Sequence, residues 1–247
     1  MNKETEEKII ELNKNFYRIT RETFSKSRNY TWVGWDKLFE YIKDKKITIN
    51  NILDLACGNG RFVNVLKKHM SNFNYLGIDT DNFLIEEAFK NFGSTKTTFI
   101  KCDLLNTKDI STLDLDTKYD LIVSFGFMHH IPSPQKRIEF FNYVNQNLND
   151  SGIFCFSVWD FPGKKYQERV NKEEIAKELN LNEAIKDSND YILDWREGNK
   201  AFRFAKYYTE SELNTLLEQS NFEKIYSFTA DGRDQKSNRY FIVKKKS

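Results

Sequence analysis

The sequence contains no long apolar run, few cysteines and little net charge. No stretch approaches the roughly 18 apolar residues of a membrane-spanning helix, and residues 1–8 contain no apolar signal-peptide core. Cys57, Cys102 and Cys155 are widely spaced and form no metal-ligand pattern, and each lies in or beside an apolar segment. We therefore expect a cytoplasmic protein with buried thiols, no bound metal and no membrane partner.

The charge is small overall but unevenly distributed. The formal net charge is +2 over 247 residues, whereas residues 231–247 carry six basic and two acidic side chains. Their local sum of +4 leaves −2 for the rest of the chain. Such a basic end suits either contact with phosphate groups or simple solvation, and the charge alone does not decide between them.

An apolar run followed by small residues predicts a nucleotide-binding corner. Residues 52–55 predict a buried strand, Ala56 to Gly60 a tight turn, and apolar residues at helical spacing follow from Phe62. Small residues let a ligand approach the backbone closely, and the amides at a helix N-terminus favour negative charge.

Three further apolar strands also end in polar or small groups. They end at Asp79, which lies 19 residues after Gly60, at Asp103, and at Ser124 and Phe125. An acid at the first of these positions suits hydrogen bonds from ribose hydroxyl groups. Because a helix signal follows each strand, we expect an α/β fold whose parallel strands share one crevice at their carboxyl ends.

These motifs resemble those of the class I S-adenosylmethionine (SAM)-dependent methyltransferases. The matching segments are Asp54 to Gly60, Gly77 to Asp79, Cys102 to Leu104 and Phe125 to Ile131. The resemblance implies a Rossmann-like, seven-stranded, mostly parallel sheet with an antiparallel last strand and helices on both faces. Family members usually carry glycine where this chain has Ala56. A nicotinamide enzyme fits less well, since no third glycine follows Gly60 at the required spacing.

The resemblance also implies how SAM would be bound. Its methionine end would be lined by Asp54, Ala56, Gly58 and Gly60, with Arg28 pairing the methionine carboxylate. Asp79 would accept hydrogen bonds from the ribose, Asp103 would face the adenine amino group, and Leu104 would cover the ring. Ser124 and Phe125 would lie beside the sulfonium. Tyr17 and Thr80 complete the predicted cofactor set.

His129 and His130 are the candidate bases. Adjacent side chains on an extended segment point in opposite directions, so we expect at most one histidine to face the site. An ordinary hydrogen-bonded loop histidine is the competing interpretation. Without further ligands at suitable spacing the pair makes a poor metal site.

The flanking segments are similar to the family that methylates the carboxymethyl group on the wobble uridine of tRNA. The similarity lies in Phe16-Tyr17, in Phe127 to Ile131, in Phe156 to Trp159 and in Arg203 to Tyr208. It implies tRNA as the acceptor, with Trp159, Arg203 and Tyr207 as substrate-binding residues and a small activating protein as a further partner. Either Arg203 or Arg28 would orient the acceptor carboxylate. A carboxylate is ionised at neutral pH and needs no strong general base.

Two other functions stay open. One is a small-molecule O- or N-methyltransferase, and the other is a catalytically silent SAM-fold protein that acts as a partner. A basic face continuous with the mouth of the site would favour tRNA, whereas a closed aromatic pocket would favour a small molecule.

No repeat or linker divides the chain, so we predict one domain over residues 1–247. Within it we expect an N-terminal helical cap (1–46), a SAM-binding core (47–160), a partly helical substrate lid (161–208) and a C-terminal helix with a strand pair (209–247). Helices are predicted over 5–24 and 35–42, a turn over 149–152, and strands over 153–159, 222–229 and 240–243.

Overall fold

The computed structural model describes residues 1–27, 31–111, 113, 115, 117–161, 172–185, 189–194 and 201–246. The strands are β1 (Asn51–Leu55), β2 (Asn74–Asp79), β3 (Thr97–Lys101), β4 (Tyr119–Ser124), β5 (Leu148–Trp159), β6 (Asp190–Asp194), β7 (Phe202–Lys206), β8 (Phe222–Ala230) and β9 (Asn238–Lys245). Seven of them form one sheet in the order β3-β2-β1-β4-β5-β9-β8, and β6 and β7 form a separate two-stranded sheet.

The helices alternate with the strands of the large sheet. They are α1 (Lys3–Ser27), α2 (Val33–Asp44), α3 (Phe62–His69), α4 (Asn82–Phe92), α5 (Thr107–Ser111), α6 (Pro134–Asn147), α7 (Lys172–Glu178) and α8 (Glu210–Gln219). Short 3₁₀ turns cover Met128–His130 and Asn182–Ile185. Sequence signals explain several boundaries: Asp81 caps α4, Ser133 and Pro134 open α6, and Thr209 with Glu212 forms a capping box for α8.

The pairing directions confirm the predicted fold class. Strands β1 to β5 pair in parallel, and β9 pairs antiparallel with both β5 and β8. The carboxyl ends of β1 to β4 therefore meet at one edge of the sheet, as a Rossmann-like arrangement requires.

The prediction of a turn at residues 149–152, with the strand beginning after it, is wrong. Leu148 already pairs with Tyr119, and the next pair joins Ile153 to Leu121, so β5 accommodates four residues opposite one residue of β4. The turn residues thus form an irregularity within a longer strand. The predicted strand over 222–229 begins at the correct residue, whereas the other ends of the predicted helices and terminal strands fall one to three residues short.

The region predicted as a partly helical lid contains β-structure as well. Strands β6 and β7 pair antiparallel, with Ile192 opposite Phe204 and Asp194 opposite Phe202. The 3₁₀ turn and α7 pack beside them around Phe204 and Ile9 of α1. The division into cap, core and lid stays a prediction.

The core lies on both faces of the large sheet. One cluster joins the sheet to α6 and α8 through residues such as Phe141, Phe154 and Phe222, and the other joins it to α2 and α3 through Trp35 and Phe62. All three cysteines are buried and unbonded, as predicted. Among the described helices, none has the length and apolar character to cross a bilayer.

The basic C-terminal segment is divided between the two ends of β9, because β9 runs antiparallel to β5. Arg239 lies level with the carboxyl end of β5, whereas Lys244 and Lys245 lie at the opposite edge of the sheet. Lys244 pairs with Glu223 at 2.8 Å, and Lys245 pairs with Asp150 at 3.0 Å. These two lysines therefore neutralise neighbouring acids far from the crevice.

Candidate functional site

A cavity of about 410 Å³ opens at the carboxyl ends of β1 to β4. One wall comes from the turn after β1 and from the ends of β2, β3 and β4, and the facing wall comes from α1. The contributing residues of α1 are spaced three and four apart and so share one helix face: Ile10, Asn13, Lys14, Tyr17 and Arg18. A cavity of this size suits a small molecule such as a cofactor.

The turn after β1 has a left-handed backbone at three positions. Ala56, Gly58 and Gly60 have φ values of 65°, 56° and 73°. A Cβ atom added to Gly58 would meet nothing within 4 Å, whereas one on Gly60 would lie 2.8 Å from the Phe99 ring. Gly58 therefore keeps space open in the cavity wall, while Gly60 permits close packing behind it.

Asp79, at the end of β2, is tied to this turn. Its carboxylate accepts hydrogen bonds from the Gly58 amide at 2.8 Å and from the Asp81 amide at 3.0 Å. Burial raises the pKa of Asp79, and these amides oppose the shift. Thr80 follows as an exposed cavity residue.

Asp54 lies deeper, in the middle of the sheet. The carboxyl group is buried and accepts a hydrogen bond of 2.7 Å from the Tyr75 hydroxyl. Burial raises the pKa of Asp54 to about 7, with Tyr75 opposing this shift and the Asp79 charge adding to it. This wall of the cavity therefore changes charge near neutral pH.

Asp103, after β3, forms an ion pair with α1. The Lys14 ammonium lies 2.6 Å from one carboxylate oxygen, and the Leu105 amide donates to the other at 3.0 Å. Leu104 is buried beside it and lines the cavity. The ion pair holds α1 across the end of β3.

The two residues at the end of β4 have different surroundings. Phe125 lines the cavity and packs with Trp35 and Phe62, with ring centroids 5.7 and 5.3 Å away. Ser124 is fully buried outside the lining, and its hydroxyl has no hydrogen-bond partner among the described residues. Like Ser124, Gly60 is not among the residues that line the cavity.

The two histidines occupy a 3₁₀ turn rather than an extended segment, and their ring centroids lie 4.2 Å apart. His130 lines the cavity; its Nε2 lies 2.7 Å from the Tyr17 hydroxyl, and its Nδ1 lies 2.8 Å from the Phe204 carbonyl oxygen. A carbonyl oxygen only accepts, so Nδ1 carries a proton. In the neutral ring Nε2 then accepts from Tyr17. His129 is fully buried and stacks on Trp159 at 3.7 Å.

The predicted substrate-binding residues lie next to this turn, outside the cavity lining. The Arg203 guanidinium packs between Phe16 and Trp159, 4.7 and 4.5 Å from their ring centroids. Tyr207 packs against Phe161, 5.8 Å away between ring centroids. Arg203 is thus one residue from the Phe204 carbonyl that His130 contacts.

Arg28 lies outside the described residues. Conversely, the sequence analysis missed Asn13, Lys14 and Arg61 as cavity residues. The four-residue spacing of Asn13 and Tyr17 on an amphipathic helix is a weak signal, because it also fits a solvated face. Arg61 directly follows the glycine turn, and this position in the sequence could have identified it as a cavity residue.

Comparison with known proteins identifies a family for most of the chain. The model of a methyltransferase-domain family matches residues 27–227. The chain is 31% identical over 137 residues to the putative methyltransferase 235L of Invertebrate iridescent virus 6, covering 53% of this chain and 48% of that protein. The chain thus spans about half the length of that relative.

Two other relatives differ in the acceptors that their names state. The probable tRNA methyltransferase 9B of Mus musculus is 24% identical over 142 residues, covering 58% of this chain but 28% of that protein. The malonyl-[acyl-carrier protein] O-methyltransferase 2 of Ilyobacter polytropus is 24% identical over 221 residues, covering 77% and 81%.

Solved structures agree with the fold. A SAM-dependent methyltransferase from Clostridium acetobutylicum aligns with a TM-score of 0.62 at 16% identity, covering 95% of this chain and 99% of that one. The glycopeptide N-methyltransferase MtfA in complex with SAM aligns with a TM-score of 0.59 at 13% identity, covering 86% and 94%.

Proposed function

We propose that this chain, which belongs to the methyltransferase-domain family, is a SAM-dependent methyltransferase whose acceptor is a carboxylate, specifically the carboxymethyl group of a modified tRNA wobble uridine. The observation that carries the proposal is the position of Arg203. Its guanidinium is held between two aromatic rings beside the His130 turn, and a guanidinium is the side chain best suited to orient a carboxylate.

Several structural features of this chain agree with SAM as the ligand of the cavity. The acids follow the strand order, with Asp103 after β3, Asp79 at the end of β2 and Asp54 in β1, and Phe125 follows β4. Four neighbouring strands span roughly 14 Å at a spacing of ~4.8 Å, enough for a nucleoside joined to an amino acid. The open space in front of Gly58 permits backbone contact with such a ligand.

Asp79 and Asp103 would hold the ribose and the adenine, and Asp54 lies on the methionine side. When bound, SAM supplies an electrophilic methyl group, so the chain contributes orientation and exclusion of water. Phe125, Trp35 and Phe62 form the apolar wall that excludes water from the reacting end. For a carboxylate acceptor no proton has to be removed, and Tyr17 and His130 then serve to shape the site.

Two distant relatives support separate parts of the proposal. One is named as a probable tRNA methyltransferase, which supports tRNA as the acceptor molecule. Another is named for O-methylation of a malonyl group, whose free end is a carboxylate, which supports a carboxylate as the acceptor group. The similarity to the wobble-uridine family also adds a small activating protein to the proposal.

A small-molecule O- or N-methyltransferase is the second candidate, and the cavity lining favours it. Six aromatic side chains line the cavity: Tyr17, Trp35, Phe62, Phe83, Phe125 and Phe127. With neutral His130, the Tyr17 hydroxyl donates to Nε2 and is an acceptor toward other groups. That arrangement suits an acceptor carrying an N–H or O–H group.

The test is transfer of labelled methyl from SAM into bulk tRNA whose esters have been removed by mild base. Label that mild base removes again would identify a carboxyl ester on tRNA, as proposed. Base-stable label would move the methyl group to a base or ribose and overturn the carboxylate.

Two additions make a negative result decisive. The assay is repeated with cell extract, which supplies an activating partner, and SAM binding is confirmed by calorimetry. Absence of label under both conditions, with SAM bound, would reject tRNA and favour the small-molecule function.

A further inference from the structure

The His130 turn, residues 127–132, places the side chains of Phe127 and His130 in the cavity wall. Inside the turn, the His130 amide donates to the Phe127 carbonyl at 2.8 Å. The Ile131 amide donates to the Met128 carbonyl at 3.2 Å. A 3₁₀ turn of this length is weak on its own, because its hydrogen-bond geometry is poorer than that of an α-helix. Its shape therefore depends on contacts from the rest of the molecule.

Arg137 of α6 holds the end of this turn. Its side chain is buried, and its Nε and Nη2 atoms donate to the carbonyl oxygens of Ile131 and Pro132 at 3.1 and 2.9 Å. A guanidinium carries its donors in a rigid planar fork, so it can hold two successive carbonyl groups at once. Arg137 therefore fixes the backbone where the turn leads into α6.

Tyr208, which follows β7, holds the start of the same turn. Its buried hydroxyl donates to the Met128 carbonyl at 2.8 Å, and its ring centroid lies 5.3 Å from the guanidinium carbon of Arg137. Burial raises the pKa of Tyr208 and outweighs the opposing effect of the Arg137 charge. The hydroxyl therefore keeps its proton at neutral pH and stays a donor. Because the cation–π contact joins the two side chains, they hold both ends of the turn as one unit.

Neither Arg137 nor Tyr208 is among the residues that line the cavity. We therefore expect them to act on a bound ligand through the turn that they hold. The His130 ring depends on the position of this turn, since its Nδ1 lies 2.8 Å from the Phe204 carbonyl oxygen and its Nε2 lies 2.7 Å from the Tyr17 hydroxyl. Hydrogen bonds weaken steeply as their geometry is distorted, so a small displacement of the turn would release the ring.

We propose that Arg137 and Tyr208 are positioning residues for methyl transfer, because they hold the turn so that His130 and Phe127 shape the part of the cavity that the acceptor occupies. The inference rests on the proposed function, since it takes the cavity beside the His130 turn as the place of the acceptor. It deepens that function by adding two side chains that do not contact the acceptor but determine the shape of its site.

The first readout is the His130 ring in the protein without an acceptor. The chain contains three histidines, so ¹⁵N-histidine labelling gives three sets of ring signals in NMR spectra, and His130→Gln identifies the set of His130. At about pH 8.5, where imidazoles of ordinary pKa are neutral, we expect the wild-type His130 ring as the Nδ1–H tautomer. Arg137→Met and Tyr208→Phe should move its signals toward the average of the two tautomers. The signals of His69, which stacks on another element of the fold, should stay unchanged.

The second readout is the rate of methyl transfer to base-treated tRNA with SAM in excess. We expect kcat to fall about tenfold in Tyr208→Phe, which loses one hydrogen bond, and about 100-fold in Arg137→Met, which loses two. SAM affinity, measured by calorimetry, should stay within about twofold of wild type. Arg137→Lys keeps the charge without the planar fork and should give an intermediate result in both readouts. It also replaces Arg137→Met if that variant fails to fold.

Tyr143→Phe is the matched control for Tyr208→Phe. Tyr143 also lies on α6, and its hydroxyl is buried but has no hydrogen-bond partner among the described residues. Removing this hydroxyl should change neither the His130 signals nor kcat.

Three outcomes would overturn the proposal. His130 signals that stay as in the wild type in Tyr208→Phe and in an arginine variant would show that the turn is positioned without these residues. Moved signals with unchanged kcat would reject a role in methyl transfer. Signals that move together with those of His69, with weaker SAM binding, would show that the two residues stabilise the fold as a whole.

Failure of the proposed function is a separate result. A wild type that transfers no methyl group to tRNA, even with cell extract, would reject tRNA as the acceptor. The ring signals would still decide whether Arg137 and Tyr208 position the His130 turn.

Discussion

The two sides of the cavity are built by different means. The cofactor side consists of the ends of four neighbouring parallel strands and the turns after them, so each functional residue lies next to an element that local sequence predicts. The side that we assign to the acceptor is assembled from α1, a 3₁₀ turn and β7, which meet through contacts between distant parts of the chain. The comparison teaches that local motifs build the cofactor side here, whereas tertiary packing builds the proposed acceptor side.

The largest expected effect tests the cofactor side. Asp79→Ala removes the acceptor for the Gly58 and Asp81 amides as well as the predicted ribose contact. We expect SAM affinity to fall about 10- to 100-fold, since hydrogen bonds to charged groups contribute about 1.5–3 kcal/mol. Calorimetry measures this, and Asp234→Ala, at an exposed loop position, is the control. Unchanged affinity would remove Asp79 from the site.

A change on the acceptor side should leave the cofactor side intact. Arg203→Ala removes the guanidinium between Phe16 and Trp159, and we expect the KM for the acceptor to rise about tenfold through loss of one charged hydrogen-bonding group. SAM affinity should stay within about twofold of wild type. Weaker SAM affinity with an unchanged KM for the acceptor would instead place Arg203 at the cofactor, and the distinction between the two sides would fail. Arg203→Lys shows whether charge alone suffices.

The pKa of Asp54 gives the cofactor side a pH signature. The folded value of about 7 exceeds the ordinary value of 3.8, so between these pH values the folded state holds a proton that the unfolded state has lost. The Asp54 carboxyl group therefore makes its full contribution to the free energy of unfolding at low pH. That contribution declines as pH rises toward 7, by no more than about 1.4 kcal/mol per pH unit. Urea unfolding of wild type and Asp54→Asn from pH 5 to 8 measures the difference. A difference that is constant with pH would contradict the raised pKa.

The smallest effect concerns the turn itself. Ala56 has a φ of 65°, a conformation that costs a residue with a Cβ roughly 1–2 kcal/mol. Ala56→Gly relieves this cost but adds about 0.4–1 kcal/mol of unfolded-state entropy, so we expect a net gain in stability of between zero and about 1.6 kcal/mol. Denaturant midpoints of the two proteins give the value, and a loss of stability would show that the methyl group of Ala56 packs favourably.

The sequence predicts the cofactor side well because its signals are local. The apolar strands, the glycine turn and the acids after β2 and β3 are each recognisable within ten residues, and parallel pairing then brings them together. The acceptor side offers no such signal. Tyr17 and His130 are 113 residues apart, and Asn13 and Phe204 are 191 apart.

The β6–β7 pair shows a second reason for failure. Its strands are five residues each and come from a charged, aromatic region in which helical and extended patterns both fit. Tertiary contacts decide between them, since β7 packs on α1 and on the histidine turn. Lys206 adds a buried ion pair of 2.8 Å to Glu212 of α8, which no periodicity in the sequence reveals.

Helix α1 has a consequence for how this protein can be altered. Asn13 donates to the His130 carbonyl at 3.3 Å and accepts from the Phe204 amide at 2.7 Å, while Lys14, one residue on, holds Asp103. The side of the cavity that we assign to the acceptor is therefore a unit made of two pieces that lie far apart in the sequence, α1 and the region of β7. Grafting residues 161–208 from another methyltransferase would transplant half of that unit, and α1 has to travel with it.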